Sequence, residues 1–225
     1  MREAAGTTKN LRDLAGWAAS TGADAIPRSV LERGARVLVD DLAAIVGARD
    51  EPEVQRFHAR LCAAPTREES TLFRGGRSRL DRFTAAVGNA TAGDFLELDE
   101  GYRAAPCHAG LYVVPALIAH AETFDLPLRE MLRALVVAYE IVTRVARTWP
   151  PREMNLHSHA RYCAVGAAAA TALASGADAS LLMRALTCAA TLVNTGPRNH
   201  LITRHFRRVS RHLWLCIEIA TEGEY

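Results

Sequence analysis

Lysine is almost missing from this chain. Of its 27 basic residues, Lys9 is the one lysine and 26 are arginine, beside 41 alanines. That bias reads as a GC-rich coding sequence, so alanine content by itself says little about function. An excess of one charge is also missing: 27 basic against 25 acidic residues leave a net charge of +2. This excludes a strongly basic nucleic-acid coat and an acidic tail protein. Cysteine is sparse, with five at positions 62, 107, 163, 188 and 216. The number is odd and no CxxC occurs, which argues against a disulfide framework or zinc ribbon and fits a reducing compartment. The first residues, Met1 to Lys9, hold no apolar stretch of the signal-peptide kind. No apolar run reaches the ~18 residues of a membrane span. The nearest, Ala164 to Ala174, is short and mostly alanine. The expectation is a soluble cytoplasmic protein with no membrane partner.

What is present is a globular composition, 49% apolar and 23% charged over 225 residues. That is enough chain for one domain with a real hydrophobic core, or for two small ones. The dominant period is helical. Leu11, Leu14, Ala15 and Ala18 follow i, i+3, i+4, i+7 in a helix from Thr8 to Ala19. Pro27 suits the first position of a longer helix that runs to Gly47. Further helices are expected at Glu53–Cys62, Leu80–Ala92, Gly110–Glu122, Leu128–Arg147, Ala164–Ala174 and Ser180–Val193. Gly176 marks a C-terminal stop. Ser70 to Arg74 invites a short strand. Small residues at 167–170 and 189–190 would let helices cross closely, which speaks of packing and not of chemistry. The fold class is therefore all-α, with no domain boundary before about residue 195.

Three segments carry groups capable of chemistry. In the first, Asp94, Glu97, Asp99 and Glu100 fall within seven residues, followed by Arg103 and His108. Acids at a helix C-terminus oppose the macrodipole, and crowded carboxylates raise one another's pKa. With an imidazole nearby they suit proton transfer; the plainer alternative is a solvated acidic turn. The second is His157-Ser158-His159-Ala160-Arg161, placed in a loop before the alanine-rich helix. A lone HxH is thin evidence for metal. An anionic substrate would reconcile these groups with a helix N-terminus, and a structural role is the simpler option. The third, Arg198 to His212, holds five arginines and three histidines without an acid. Arg204, Arg207, Arg208 and Arg211 share one helical face. The choices there are a solvated face or an anion site, and nucleic acid is disfavoured because no aromatic platform accompanies the charge.

Together these stretches resemble the MmgE/PrpD family. The resemblance is carried by Asn89-Ala90-Thr91-Ala92, then Leu96-Glu97-Leu98-Asp99-Glu100-Gly101-Tyr102-Arg103, then His108-Ala109-Gly110. Supporting stretches are Pro27 with Val39-Asp40-Asp41-Leu42, Pro115-Ala116-Leu117, Ala138 to Arg144, and His157 followed nine residues later by Gly166 and four alanines. It covers about residues 8 to 195, so residues 1–195 are expected to form the family's helical domain and 196–225 a basic helical extension. Departures include Asp94 where the family has His, Glu100 for a second Asp, Tyr102 for His, Ala109 for the proline after His108, and His157-Ser158-His159 for an HPT segment. The family's α+β lid domain, which closes the active site, is expected to be absent, and the region of its substrate lysine falls in the lysine-free stretch around Arg204.

The resemblance implies a cofactor-independent lyase or isomerase that moves a proton next to a carboxylate: a dehydratase, decarboxylase or epimerase. It implies Asp99, His108 and His157 as catalytic residues in one concave site. Glu97, Arg103, His159, Arg161 and Arg204 are then expected to contact a small carboxylate-bearing substrate, with no metal. Glu100 is expected to matter less, since its longer side chain breaks the family's pattern. A homodimer through helical faces is expected, with a second chain that supplies a lid as a further option. The alternative is a catalytically inactive family descendant that serves as a binding or scaffold subunit.

Overall fold

The computed structural model describes residues 2–76, 78–150 and 158–192. Among them eight α-helices and one small hairpin are built around a single apolar centre. The helices are α1 (Arg2–Ser20), α2 (Arg28–Gly47), α3 (Pro52–Leu61), α4 (Arg82–Phe95), α5 (Ala109–Thr123), α6 (Leu128–Thr148), α7 (Ser158–Ala174) and α8 (Ala179–Ala190).

Helix α5 is the axis of the fold. All thirteen residues from Ala109 to Ala121 are buried, as expected of a helix that is apolar on every side. It packs against α4, α6 and α7. Pro115 inside it removes one ladder hydrogen bond, which a fully enclosed helix tolerates. Around it lie amphipathic helices. On α2 the buried stripe is Gly34, Leu38, Asp41, Ala44 and Ile45; on α6 it runs through Ala134, Ala138, Ile141 and Val142. An aspartate in the middle of the α2 stripe breaks the apolar pattern.

Two caps fix helix starts. The Asp81 side chain accepts from Phe83 N and Thr84 N at 3.1 and 3.0 Å before α4. Asp178 accepts from Leu181 N at 2.7 Å before α8. These satisfy N–H groups that would otherwise be orphaned. The register of α7 against α5 is set by Gly166: a Cβ there would stand 2.6 Å from Tyr112 Cβ and 2.8 Å from the Tyr112 carbonyl oxygen. Only glycine permits that approach.

Two sequence expectations need correction. Residues 70–74 do not form a strand of that length. Ser70–Thr71 (β1) pairs antiparallel with Arg79–Leu80 (β2), a partner the apolar pattern gave no sign of. Interactions with the helices hold the hairpin. Glu122 accepts from Ser70 Oγ at 2.7 Å, Thr71 N at 2.5 Å and Thr71 Oγ1 at 2.8 Å. Asn89 bridges Phe73 N and Thr71 O, each at 2.9 Å. The second correction concerns the segment before the alanine-rich helix. It is helical from Ser158 rather than from Ala164, so His159 and Arg161 stand on the first turn of α7 and not in a loop.

Candidate functional site

The chain between α4 and α5 makes a tight acid-rich excursion. It leaves α4 through Glu97, whose φ of 53° is left-handed. It closes on itself where Tyr102 N donates to Cys107 O at 2.9 Å. His108 then occupies the N-cap position of α5, so the most buried helix of the fold presents an imidazole at its start.

Asp99 folds back onto that imidazole. Its Oδ2 lies 2.8 Å from His108 Nδ1, with the Asp99 side chain 1% exposed and His108 29% exposed. The pairing raises the His108 pKa above its ordinary value; burial opposes this, and the Asp99 and Glu100 charges reinforce it. An accessible imidazole backed by a buried carboxylate is the arrangement that general acid–base chemistry requires.

A second imidazole–carboxylate pair stands behind the first. His159 Nε2 lies 2.9 Å from Asp94 Oδ1, and His159 is 3% exposed. Its Nδ1 is 2.8 Å from the Tyr112 hydroxyl. Burial pushes the Tyr112 pKa well up, so the phenol keeps its proton and is able to donate to Nδ1, while Nε2 lies within ion-pair distance of Asp94. The two imidazole rings meet edge to face with centroids 4.9 Å apart. Tyr112, four residues after His108, packs against His159 at 5.4 Å.

Glu100 ties the excursion to two helices. Its Oε1 accepts from Gly110 N at 2.5 Å and its Oε2 from the Tyr139 hydroxyl of α6 at 2.8 Å. Burial raises its pKa despite these two donors. The expectation that Glu100 matters less is therefore at odds with its contacts: the longer side chain reaches both helices.

The structure brings the acid-rich turn and the start of α7 together, as the sequence led one to expect. Asp99 and His108 form its centre, and His159 stands next to them but buried. Arg161 is half-buried; its Nη2 donates to Trp149 O at 3.2 Å, toward the end of α6. Glu97 and Arg103 are exposed on the excursion. His157 and Arg204, with the rest of the arginine-rich stretch, lie outside the described residues. Among the described residues no three His, Cys, Asp or Glu side chains gather as a metal centre would need, and no helix is long and apolar enough to cross a membrane.

Sequence reasoning passed over Tyr112, the pairing role of Asp94, Tyr139 and Asp41. Tyr112 was findable, because it is an i, i+4 neighbour of His108 on α5. A surface groove of about 370 Å³ lies elsewhere, between the end of α1, the start of α6 and the turn after α7. Its Arg133 is held by Glu130 at 2.9 Å and by Leu173 O at 2.7 Å, so that guanidinium serves packing.

Comparison with known proteins gives two results. The MmgE/PrpD N-terminal domain matches residues 12–203. Cis-aconitate decarboxylase of Aspergillus terreus is 28% identical over 171 residues, as is the protein of that name from strain NIH 2624 / FGSC A1156. The alignment takes in 73% of this chain and 34% of the relative. The chain thus spans about a third of the length of the curated relatives it matches.

Proposed function

Because the chain belongs to the MmgE/PrpD family through that N-terminal domain, we propose that it carries the proton-transfer half of a lyase or isomerase site. The substrate is a small carboxylate-bearing molecule and no cofactor takes part. The observation that carries this reading is His108, 29% exposed, held 2.8 Å from the buried Asp99 carboxylate. With Nδ1 turned to Asp99, Nε2 is the atom left to take a proton from carbon beside a carboxylate, or to return it. Asp99 stabilises the imidazolium formed on the way, and the raised His108 pKa favours that charged state.

His159 supports this from behind. Fixed between Tyr112 and Asp94, it gives the edge against which the His108 ring is oriented. The two imidazoles are too close to hold a substrate carbon between them, so proton removal and return are expected on one face of the substrate. Arg103 and Arg161 are proposed to meet the substrate carboxylates, since a guanidinium stays charged and binds them in bidentate fashion. His157, Glu97 and Arg204 belong to the same proposal. Dehydration and decarboxylation fit this one-faced proton transfer, whereas epimerisation would need the proton returned to the opposite face by another donor. The name of the relative favours decarboxylation. Closure by a lid, on a further stretch of chain or a second chain, would strengthen the electrostatics by excluding water.

The test is a panel of small di- and tricarboxylic acids in deuterated water, followed by NMR for exchange, elimination or loss of CO2. His108→Ala is expected to lose at least about 100-fold in rate with the fold intact. Equal and small effects of Asp99→Ala, His108→Ala and His157→Ala would reject the catalytic assignment and favour a binding or scaffold role.

A further inference from the structure

Beneath the acid-rich excursion lies a carboxyl group that the proton transfer does not use. Asp41, on the inner stripe of α2, is fully buried, and neither of its oxygens makes a hydrogen bond of ordinary geometry. Its surroundings are acidic. Glu100 and Asp99 act on it from the excursion and Asp40 from its own helix, while Tyr139 of α6 feels its charge from the opposite side. Helix α4 meets α2 at Gly93 and Ile45, one turn along, and α5 faces Asp41 with the backbone of Gly110. A Cβ on Gly110 would run into Asp41 Oδ2 and stand 3.0 Å from Glu100 Cγ. Two carboxyl groups therefore press against the first turn of α5, immediately after His108.

That helix start has one convenient place for an anion, and Glu100 takes it through the Gly110 N–H. A second carboxylate in the same corner would be buried beside two like charges, with no more than the Glu100 backbone N–H to favour its charged form, and such a group stays protonated. We propose that Asp41 is a positioning residue for the His108 site: as a neutral carboxyl it fills the corner between α2 and α5, and its ionisation acts through Glu100 and Asp99 on the imidazole. Burial, then Glu100, Asp99 and Asp40 in that order, push its pKa up to about 8. Above that pH a third negative charge stands under the site. It disturbs the two acids that hold the excursion, favours the imidazolium form of His108, and repels a carboxylate substrate.

This inference takes His108 as the proton-transfer group and so rests on the function proposed above, but its test reads charge rather than turnover. Imidazole ¹⁵N resonances of the full chain are followed with pH in wild type and in Asp41→Asn, with the His108 signals assigned by their loss in His108→Ala. Wild type is expected to show the His108 titration and a second inflection in the same signals near pH 8. Asp41→Asn, a neutral isostere, keeps the His108 shifts of the wild type at about pH 6 and loses that second inflection. An inflection that persists in Asp41→Asn, or is missing from wild type, overturns the proposal. Infrared spectroscopy of wild type covers the case in which the variant does not fold. A carbonyl band of a neutral, buried carboxylic acid should be present at about pH 7 and vanish with a midpoint near 8, and its absence at about pH 7 would also overturn the proposal. Loss of the inflection without exchange on any carboxylic acid leaves the charge coupling standing and removes the function. Exchange without the inflection does the reverse.

Discussion

Asp99 and Asp41 are both buried, so it is their partners that set these two carboxylates apart. Asp99 has a cationic partner in His108 and Asp41 has none. Asp99→Asn is expected to bring the His108 pKa down toward its ordinary value, readable by NMR titration. The linkage has a definite sign. A histidine whose folded pKa is raised contributes stability below its unfolded value near 6.5 and loses it as the pH rises through the folded value. Asp99→Asn should therefore lower stability in mildly acidic buffer and cost much less in alkaline buffer. A loss that is the same at both would mean that the pairing is not electrostatic. Asp41 behaves differently. The folded chain holds a proton that the unfolded chain releases, so stability falls between pH 3.8 and about 8 and levels off above. At pH values above this window Asp41→Asn should be more stable than wild type, by an amount on the order of a few kcal/mol. Urea unfolding at two pH values measures it.

At the scale of elements, the α5–α7 crossing sets the site. Gly166 lets the two backbones approach, and that approach puts His159 against Tyr112 and beside His108. In Gly166→Ala the new methyl meets the Tyr112 backbone as well as its Cβ, and backbone cannot step aside as a flexible side chain can. A loss of about 1–3 kcal/mol is expected, together with altered His159 ring resonances. A neutral Gly166→Ala would show that the crossing is looser than described. Gly16 on α1 is the contrasting case, because nothing stands within 4 Å of its missing Cβ. There Gly16→Ala should raise stability by roughly 0.5–1 kcal/mol through helix propensity alone, seen as a higher Tm.

For the whole molecule the proposed assembly is a homodimer. Large apolar side chains are left at the surface, among them Val39 at 65%, Leu128 at 63% and Trp149 at 47% exposure, with the last two at opposite ends of α6, and a helical face that joins such residues into one patch would be the interface. Light scattering should give twice the chain mass in the micromolar range, and a strictly monomeric mass would count against it. The fold makes such pairing compatible with activity, because the His108 site is assembled from α4, α5, α7 and the excursion of a single chain.

How much of this was legible beforehand follows from what is local. The 3.6-residue period of apolar side chains sufficed for the amphipathic helices, because each helix must bury its own face whatever its neighbours are. The enclosed α5 carries no such period, and its apolar run from Ala109 to Ala119 marks it only as a buried segment. The acid-rich excursion and His108 were visible as chemistry crowded into a short span. The α7 start was missed because its first turn carries His159 and Arg161 instead of an apolar stripe. Which acid meets which histidine was decided by tertiary structure alone. Asp94 and His159 are 65 residues apart in the sequence, and they meet because Gly166 admits α5. Asp41 resembled any polar interruption of a helix face until α5 and the excursion closed over it. The charge state of a buried group depends on what surrounds it in space, and nothing in its neighbours along the chain carries that information.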